Sequence, residues 1–399
     1  MTGRREAARA RLRQVPVRRI MASLEAAAGE LLAPGSALRH RAVREGAAQS
    51  GFSAPMIERA LDWTFSEITA GEMRRVLIDD LGSDDAADDP AIRSPGATLL
   101  IAAGAIFQPA VNGVVYSLLV KSPIVVKCSS HEKTILPIFT DALRSVDPDV
   151  GAAVEAGYFD HSDIAALNAD TVVAYGSDET ITAIRASAPP CARVVGHGHK
   201  VSVAVIRDGA LQNEAGALDA AKGLAIDVAM YDQSGCLSPH CAFIAAGAPV
   251  APARFCEMLA GEMQLLAESL PAGRMDVAQA GEIRNFRGDY AFHGAPCFFG
   301  DRLAYTIVID TAPIFHPSPL GRTILVKPVR SLAEVAALLQ PQDGRLQGVG
   351  AAPVDDLEIL EPLLRRLGAS YFCPPGLMQR PPLTWRNAGV PCLRSLLVT

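Results

Sequence analysis

Apolar positions in roughly the first ninety residues recur at three- and four-residue spacing. Segments 20–32, 37–49, 54–67 and 70–81 each carry such a stripe, separated by Gly, Pro or Ser, which predicts four helices. Before them lies an Ala/Arg-rich stretch with Arg4, Arg5, Arg9, Arg11, Arg13, Arg18 and Arg19. Glu6 and the scarcity of Ser and Thr there argue for a surface helix rather than an organelle transit peptide. The acidic stretch 83–90 predicts a solvated loop. From residue 97 the period changes. Apolar or β-branched runs at 97–103, 124–126 (closed by Lys127), 154–158, 171–175 and 201–206 alternate with helical patterns near 112–119, 134–145, 162–168 and 179–186. The alternation then starts afresh. Helical patterns at 214–230, 251–270 and 332–339 separate strand-like runs at 242–246, 305–309, 323–326 and 346–351. A proline-rich tail over 373–399 ends in an apolar strand candidate at 393–398. Strands separated by helices predict parallel α/β sheets with right-handed crossovers. The expected division is a helical segment over 1–90, α/β domains over 91–205 and 206–372, and a tail over 373–399.

Composition narrows the function classes. With 49% hydrophobic and 20% charged residues and a formal net charge of −6, the chain has a globular profile without the basic surface of a nucleic-acid binder. The apolar segment 113–126 is broken by Tyr116, Ser117, Lys121 and Pro123, so it reads as a buried helix running into a strand rather than a membrane span. The eight cysteines form no CxxC pair and no secretory h-region is present, which predicts reduced thiols in a cytoplasm.

Among those thiols Cys236 stands apart. It follows Gly235 in the run Tyr231-Asp232-Gln233-Ser234-Gly235-Cys236-Leu237-Ser238-Pro239-His240, just after a helical stretch, whereas most others neighbour bulky apolar residues or prolines. A nucleophilic cysteine needs space for a substrate carbonyl and backbone N–H groups to hold an oxyanion, and a Gly turn can supply both. A buried structural cysteine is the plainer alternative for any single thiol. Lys127, at the end of a buried strand, is placed to reach a ribose or phosphate, although a solvated strand-end lysine fits equally. Gly176-Ser177 joins a strand to a helix, and a Gly turn with a Ser N-cap offers free N–H groups to phosphate or simply caps the helix. Neither GxGxxG nor GxxxxGK[ST] occurs. His197 and His199 with Cys236, His240 and Cys241 fit no common zinc spacing, so no metal is expected and the histidines are read as cleft residues or hydrogen-bond donors.

Taken in order, several segments resemble the aldehyde dehydrogenase superfamily and, within it, the acyl-CoA reductase family that includes the long-chain fatty-acyl reductases of bacterial luminescence. They are Val125-Val126-Lys127-Cys128-Ser129-Ser130, Gly176-Ser177-Asp178-Glu179-Thr180-Ile181, Gly198-His199-Lys200-Val201-Ser202, Gly235-Cys236-Leu237-Ser238-Pro239-His240, Arg322-Thr323-Ile324, Leu346-Gln347-Gly348-Val349-Gly350 and Met378-Gln379-Arg380-Pro381-Pro382-Leu383. The resemblance implies an α/β, aldehyde-dehydrogenase-like fold of two parallel-sheet domains with an N-terminal helical segment. Residues 91–205 would bind the nicotinamide cofactor, 206–372 would carry the nucleophile, and the tail would return to the cofactor domain or a partner subunit. By position, Cys236 resembles the acyl-accepting nucleophile, Lys127 the contact to the adenosine ribose, and Gly176 and Ser177 the turn beside the pyrophosphate. The position three after the strand lysine can carry an acid in the related pattern, and here it is Ser130. Ser130 with Lys127 therefore implies NADPH, with NADH also admitted. Two positions depart from the pattern. Gly196 stands where hydrolytic members carry a general-base Glu, and Gly104-Ala105 stands where Gly-Asn donates to the oxyanion. The implied reaction is reduction of an acyl-CoA or carrier-bound thioester to an aldehyde by a cytoplasmic homo-oligomer, with an acyl-activating enzyme as a further candidate partner. A weakly catalytic acyl-binding or scaffold subunit and a Cys-dependent acyltransferase remain the alternatives.

Overall fold

Two parallel sheets organise the chain, and the computed structural model describes residues 2–159 and 167–398. The helix expected over 162–168 falls on the stretch 160–166, outside the described residues. The residues divide into two units, one of 1–50, 57–199 and 382–399, the other of 51–56 and 200–381.

The first unit begins with helices α1 (Thr2–Gln14), α2 (Val17–Leu32), α3 (Ala37–Ser50), α4 (Ala54–Phe65) and α5 (Ala70–Leu81). Their stripes do what the spacing predicts. On α2, Val17, Ile20, Met21, Leu24, Ala27, Ala28 and Leu31 are buried, a continuous face at three- and four-residue intervals. Thr69 starts α5 by accepting the Glu72 N–H, and Gly82 ends it at φ 95°, a left-handed cap that L side chains resist. The sheet follows, with β1 (Thr98–Ile101), β2 (Ile124–Lys127), β3 (Val154–Gly157), β4 (Thr171–Tyr175) and β5 (Arg193–His197), crossed by α6 (Gln108–Leu119), α7 (Ile135–Val146), the short α8 (Pro148–Gly151) and α9 (Asp178–Ser187). All pairs are parallel in the order β3-β2-β1-β4-β5. Leu99, Ile101, Val125, Val172 and Ala174 meet Ile181 and Ile184 of α9 in one core. The order in which strands are added switches sides between β1 and β4, the place where open α/β sheets leave a crevice beyond the strands' carboxyl ends.

The second unit holds β6 (Val201–Ile206), α10 (Glu214–Ala229), β7 (Pro239–Ala245), α11 (Pro252–Ser269), α12 (Val277–Phe292), β8 (Cys297–Phe299), β9 (Thr306–Ile309), β10 (Thr323–Val329), α13 (Leu332–Leu339), β11 (Leu346–Ala352), α14 (Leu357–Arg365) and β12 (Tyr371–Cys373). The order is β12-β11-β6-β7-β10-β9-β8, and only β8 runs antiparallel. Val201, Val203 and Val205 face a core shared with Phe243, Leu325, Val349 and the α13 and α14 residues Val335, Leu339, Leu360 and Leu364. Ser202, Ala204 and Ile206 therefore point to the opposite face, because side chains alternate along a strand. On α10 the loop after β12 comes so close that a Cβ on Gly223 would stand 2.3 Å from the Pro375 carbonyl oxygen. Asp227, one turn on, accepts the N–H groups of Gly376 and Met378 at 2.6 and 3.0 Å. Burial pushes its carboxyl up to about 8 against those N–H donors.

Several expectations are corrected. Residues 193–197, with Gly196 and His197, form strand β5, for which no strand was expected. Helices α12 and α14 and strands β8 and β12 were not read from the pattern, since α12 buries only Ile283 and α14 contains Pro362. The apolar segment 393–398 runs through turns instead of a strand. Its backbone N–H groups find other acceptors: Leu393 donates to the Asp80 carboxylate at 2.7 Å, and Val398 to the Arg93 carbonyl at 3.0 Å.

Asp80 on α5 is 3% exposed and also accepts from Arg386 at 2.8 Å, so one carboxylate holds two points of the tail. Asp80→Ala leaves both donors without that acceptor. The expected cost is about 2–3 kcal/mol. It should appear as a lower Tm and faster proteolysis within 382–399, and an unchanged Tm with an equally protected tail would show that the anchor is dispensable.

Candidate active site

In the first unit the sequence-predicted cofactor residues lie along the carboxyl edge of the sheet. Lys127 is the last residue of β2, in register with Ile101 of β1 and Gly157 of β3. It is 5% exposed, and its ammonium lies 5.2 and 5.8 Å from the ring centres of Tyr158 and Phe159. Those quadrupoles attract the cation. After β2 the chain turns through Ser129, whose hydroxyl donates to the Gly104 carbonyl and accepts the His131 and Glu132 N–H groups. The exposed Ser130 contacts the His131 ring nitrogen at 3.1 Å, and its carbonyl accepts from Gln49. At the end of β4, Gly176 donates its N–H to the His197 carbonyl at 3.2 Å. Ser177 caps α9 by accepting the Thr180 N–H at 3.2 Å. A Cβ on Gly176 would reach Thr180 Cγ2 at 3.0 Å, so the tight turn favours glycine.

Gly196 has a packing reason of its own. A Cβ there would stand 2.5 Å from Ile181 Cγ2, so no larger residue fits between β5 and α9 without rearrangement. His197 stacks on Tyr175 with ring centres 4.8 Å apart, and the His199 N–H donates to Asp178 at 3.1 Å. The ring contact gives the His197 side chain a structural role, while the His199 contact is made by its backbone. Among the described residues no group of three or more His, Cys, Asp or Glu is arranged to hold a metal ion.

In the second unit Cys236 sits on the turn leading into β7, beside the amino ends of β6 and β11. The preceding Tyr231, Asp232 and Gln233 all have positive φ, at 55°, 48° and 66°. No sequence signal marks that run, because none of the three is glycine. The Gln233 carboxamide donates to the Pro239 and Thr323 carbonyls at 2.8 and 2.7 Å and accepts the Thr323 N–H at 2.7 Å. Asp232 accepts from Gly273 N–H and Arg322 Nε at 2.9 and 2.8 Å. Ser202 of β6 donates its hydroxyl to the Cys236 carbonyl at 2.7 Å and accepts the Gly348 N–H at 3.0 Å. The Gln347 amide donates toward Cys236 Sγ at 3.5 Å.

Cys236 is exposed while Cys128, Cys241, Cys256, Cys373 and Cys392 are buried; Cys191 is the other exposed thiol. Protein crowds Sγ closely enough for desolvation to push the thiol up to about 11, opposed by the N–H groups of Cys236 and Leu237, the Gln347 amide and the Lys200 charge. The arrangement is a thiol on an exposed residue with several hydrogen-bond donors aimed at it. Those donors favour the thiolate, the form that attacks an activated carbonyl.

This pair of parallel sheets is the aldehyde-dehydrogenase-like fold. A putative aldehyde dehydrogenase, PutA, from Anabaena variabilis superposes with a TM-score of 0.71 at 16% identity, over 99% of this chain and 89% of that one. A glyceraldehyde-3-phosphate dehydrogenase, GapN, from Methanocaldococcus jannaschii, described in complex with NADP, superposes with a TM-score of 0.68 at 9% identity over 99% and 91% of the two chains. Residues 12–399 match the acyl-CoA reductase (LuxC) family, and the chain belongs to it. It is 25% identical over 319 residues to the long-chain acyl-protein thioester reductase of Aliivibrio fischeri, covering 74% of this chain and 64% of that protein's length.

Exposure and acidity together give a labelling pattern. Iodoacetamide should modify Cys236 and Cys191 in the native protein and reach the five buried thiols only on unfolding. With its pKa raised, Cys236 should react faster as pH climbs through 8 to 10, since only the thiolate attacks. Mass spectrometry of timed samples reads both, and a rate at Cys236 that levels off below pH 8 would contradict the raised pKa.

Proposed function

We propose that this protein reduces an acyl thioester, an acyl-CoA or a carrier-bound acyl group, to the aldehyde through an acyl-Cys236 intermediate, with NADPH as reductant. The observation that carries the reading is the accessible Cys236 thiol on a rigidly tethered turn, with backbone and side-chain donors around Sγ. Membership of the acyl-CoA reductase family supports the substrate class.

The residues at the sheet edge of the first unit suit a dinucleotide. Lys127, at the carboxyl end of β2, would attract the adenosine ribose and its 2′-phosphate, and the Gly176-Ser177 turn with the start of α9 would face the pyrophosphate. Ser130 adds no negative charge there, which supports NADPH at least as well as NADH. NADP in the GapN structure supports a nicotinamide cofactor in this fold. The chemistry a bound NADPH supplies is hydride to the acyl carbon, giving a thiohemiacetal on Cys236.

The chain's own residues do the rest. Cys236 loses its proton to solvent, Sγ attacks the thioester carbonyl, and the C–S bond to the carrier breaks as the carrier thiolate leaves. After hydride arrives, the thiohemiacetal oxyanion collapses, the C–Sγ bond breaks, the aldehyde departs and Sγ regains a proton from solvent. No general base for water is required, in keeping with a packed glycine at position 196.

Incubation with NADPH and an acyl-CoA series from acetyl- to tetradecanoyl-CoA, following reduced-nicotinamide absorbance, tests this directly. Oxidation should depend on acyl-CoA and vanish in Cys236→Ala, while Cys241→Ala keeps most activity. With aldehyde and NADP, acyl thioester should form only when CoA is added. A kcat/KM favouring NADH by about tenfold would refute the cofactor assignment (a difference of roughly 1.4 kcal/mol). Acylation of Cys236 without nicotinamide oxidation would favour acyl transfer or acyl carriage, and rapid CoA-independent release of fatty acid would favour hydrolysis.

A further inference from the structure

From the geometry we infer that the Gln347 side-chain amide is a catalytic hydrogen-bond donor, holding the thiolate of Cys236 and then the oxyanion formed when Sγ attacks the thioester carbonyl. The inference rests on the acyl-Cys236 reading above and adds a residue to it.

Three features of the fold converge to place that amide. The first is a pair of register breaks on either side of β6. Leu346 pairs with Val201 but Val349 with Val203, so β11 carries one extra residue across Gln347 and Gly348. Ser202 pairs with Pro239 but Val203 with Cys241, so β7 carries one as well. Bulges re-aim side chains, and these two flank Ser202 at the end of the sheet next to Cys236. Leu346 and Val349 both join the same apolar core, which a regular alternation would not allow three residues apart, and the extra residue frees Gln347 from that face.

The second feature is Ser202 itself. Its hydroxyl donates to the Cys236 carbonyl and accepts the Gly348 N–H, so one oxygen ties the cysteine turn to the residue after Gln347. The third is the glycine at 348. A Cβ there would stand 2.8 Å from Leu237 Cδ2 and 2.9 Å from Ser202 Oγ, so only glycine lets the turn lie against β11 at this point.

The result is a carboxamide that is 1% exposed, with Nε2 3.5 Å from Sγ. Its donation lowers the thiol pKa, as do the N–H groups of Cys236 and Leu237. When Sγ bonds to the carbonyl carbon, the C=O π pair moves to oxygen, and that oxyanion lies two bonds from Sγ, within reach of donors already aimed at the sulfur. The pair returns as the carrier C–S bond breaks and the carrier thiolate leaves with a proton from solvent. A preorganised donor of this kind typically contributes a factor of about 100 to 1,000 in rate.

The test uses the full chain and two variants. Gln347→Met keeps the length of the side chain without a donor, and Gln347→Ala removes it. The acyl-CoA that acylates the wild type fastest is mixed with each protein in single turnover without NADPH, and CoA release is followed. Iodoacetamide alkylation of Cys236 against pH and NADPH affinity are measured on the same samples. Both variants should acylate roughly 100-fold more slowly, with the alkylation profile moved to higher pH and NADPH affinity unchanged. Acylation by Gln347→Met within threefold of wild type, while Cys236→Ala shows none, would overturn the role of Gln347 and leave the reductase reading intact. Acylation that survives in Cys236→Ala would instead overturn the reading on which the inference rests.

Discussion

The candidate nucleophile depends on a backbone conformation that its own residues disfavour. Tyr231, Asp232 and Gln233 all sit in the left-handed region, where each L residue costs on the order of 1–2 kcal/mol relative to a right-handed turn. Such a run persists only when its surroundings over-determine it. Here they do so with three hydrogen bonds from one buried carboxamide, that of Gln233, to the backbone of Pro239 and Thr323. Asp232 adds a charge-assisted contact to Arg322, itself 2% exposed and at φ 60°. Two left-handed segments, one ahead of β7 and one ahead of β10, are thus cross-braced, and strand pairing of β7 with β10 continues from that brace. Cys236 takes its position from this brace together with the Ser202 hydroxyl on its carbonyl.

This explains what could be read from the amino-acid sequence and what could not. Buried parallel strands announce themselves as short apolar runs, and those near 124–126, 171–175, 201–206 and 323–326 all prove to be strands of one sheet or the other. Elements that fail to bury a full face give no such signal. Strand β5 is only partly covered along its length, and α12 exposes Val277 and Phe292 while burying Ile283 alone. The opposite error arises at 393–398, where hydrophobicity is real and Leu393 and Leu396 are buried, yet tertiary acceptors such as Asp80 take the N–H groups that a ladder would have used. Apolar content sets burial, whereas backbone partners decide between strand and turn.

The same division runs through the candidate site. A cysteine after a glycine, among small polar residues, is a local pattern and is legible in one dimension. Gln233, Ser202 and Gln347 are not, because each acquires its role from a partner distant in sequence: Thr323 lies 90 residues from Gln233, and Cys236 lies 111 from Gln347. A buried polar residue inside or beside a strand reads equally well as a misfit, a cap or a donor until its partner is known. The register breaks that aim Gln347 are a property of strand pairs, so no single-strand pattern reveals them. Gly104-Ala105, where the related pattern has an asparagine, signals only that an oxyanion donor has to be sought elsewhere.

Cys236 and Cys241 show why position, rather than the thiol itself, carries the chemistry. They lie five residues apart, and burial raises both pKa values, Cys241 further. Around Cys241 the Lys327 ammonium and the Asp310 carboxylate act in opposite directions, and this pair is itself closed at 2.6 Å with both side chains almost wholly buried. That thiol has neither an approach for a substrate nor an uncancelled charge, and it serves as a small apolar residue between β6 and β10. Around Cys236 every opposing influence is a hydrogen-bond donor or the Lys200 cation, and the residue is exposed. Donors of that kind favour negative charge wherever it appears within their reach. Under the proposed acyl-Cys236 chemistry they would act most as charge develops during attack. That is the condition under which binding the transition state, rather than the ground state, accelerates a reaction.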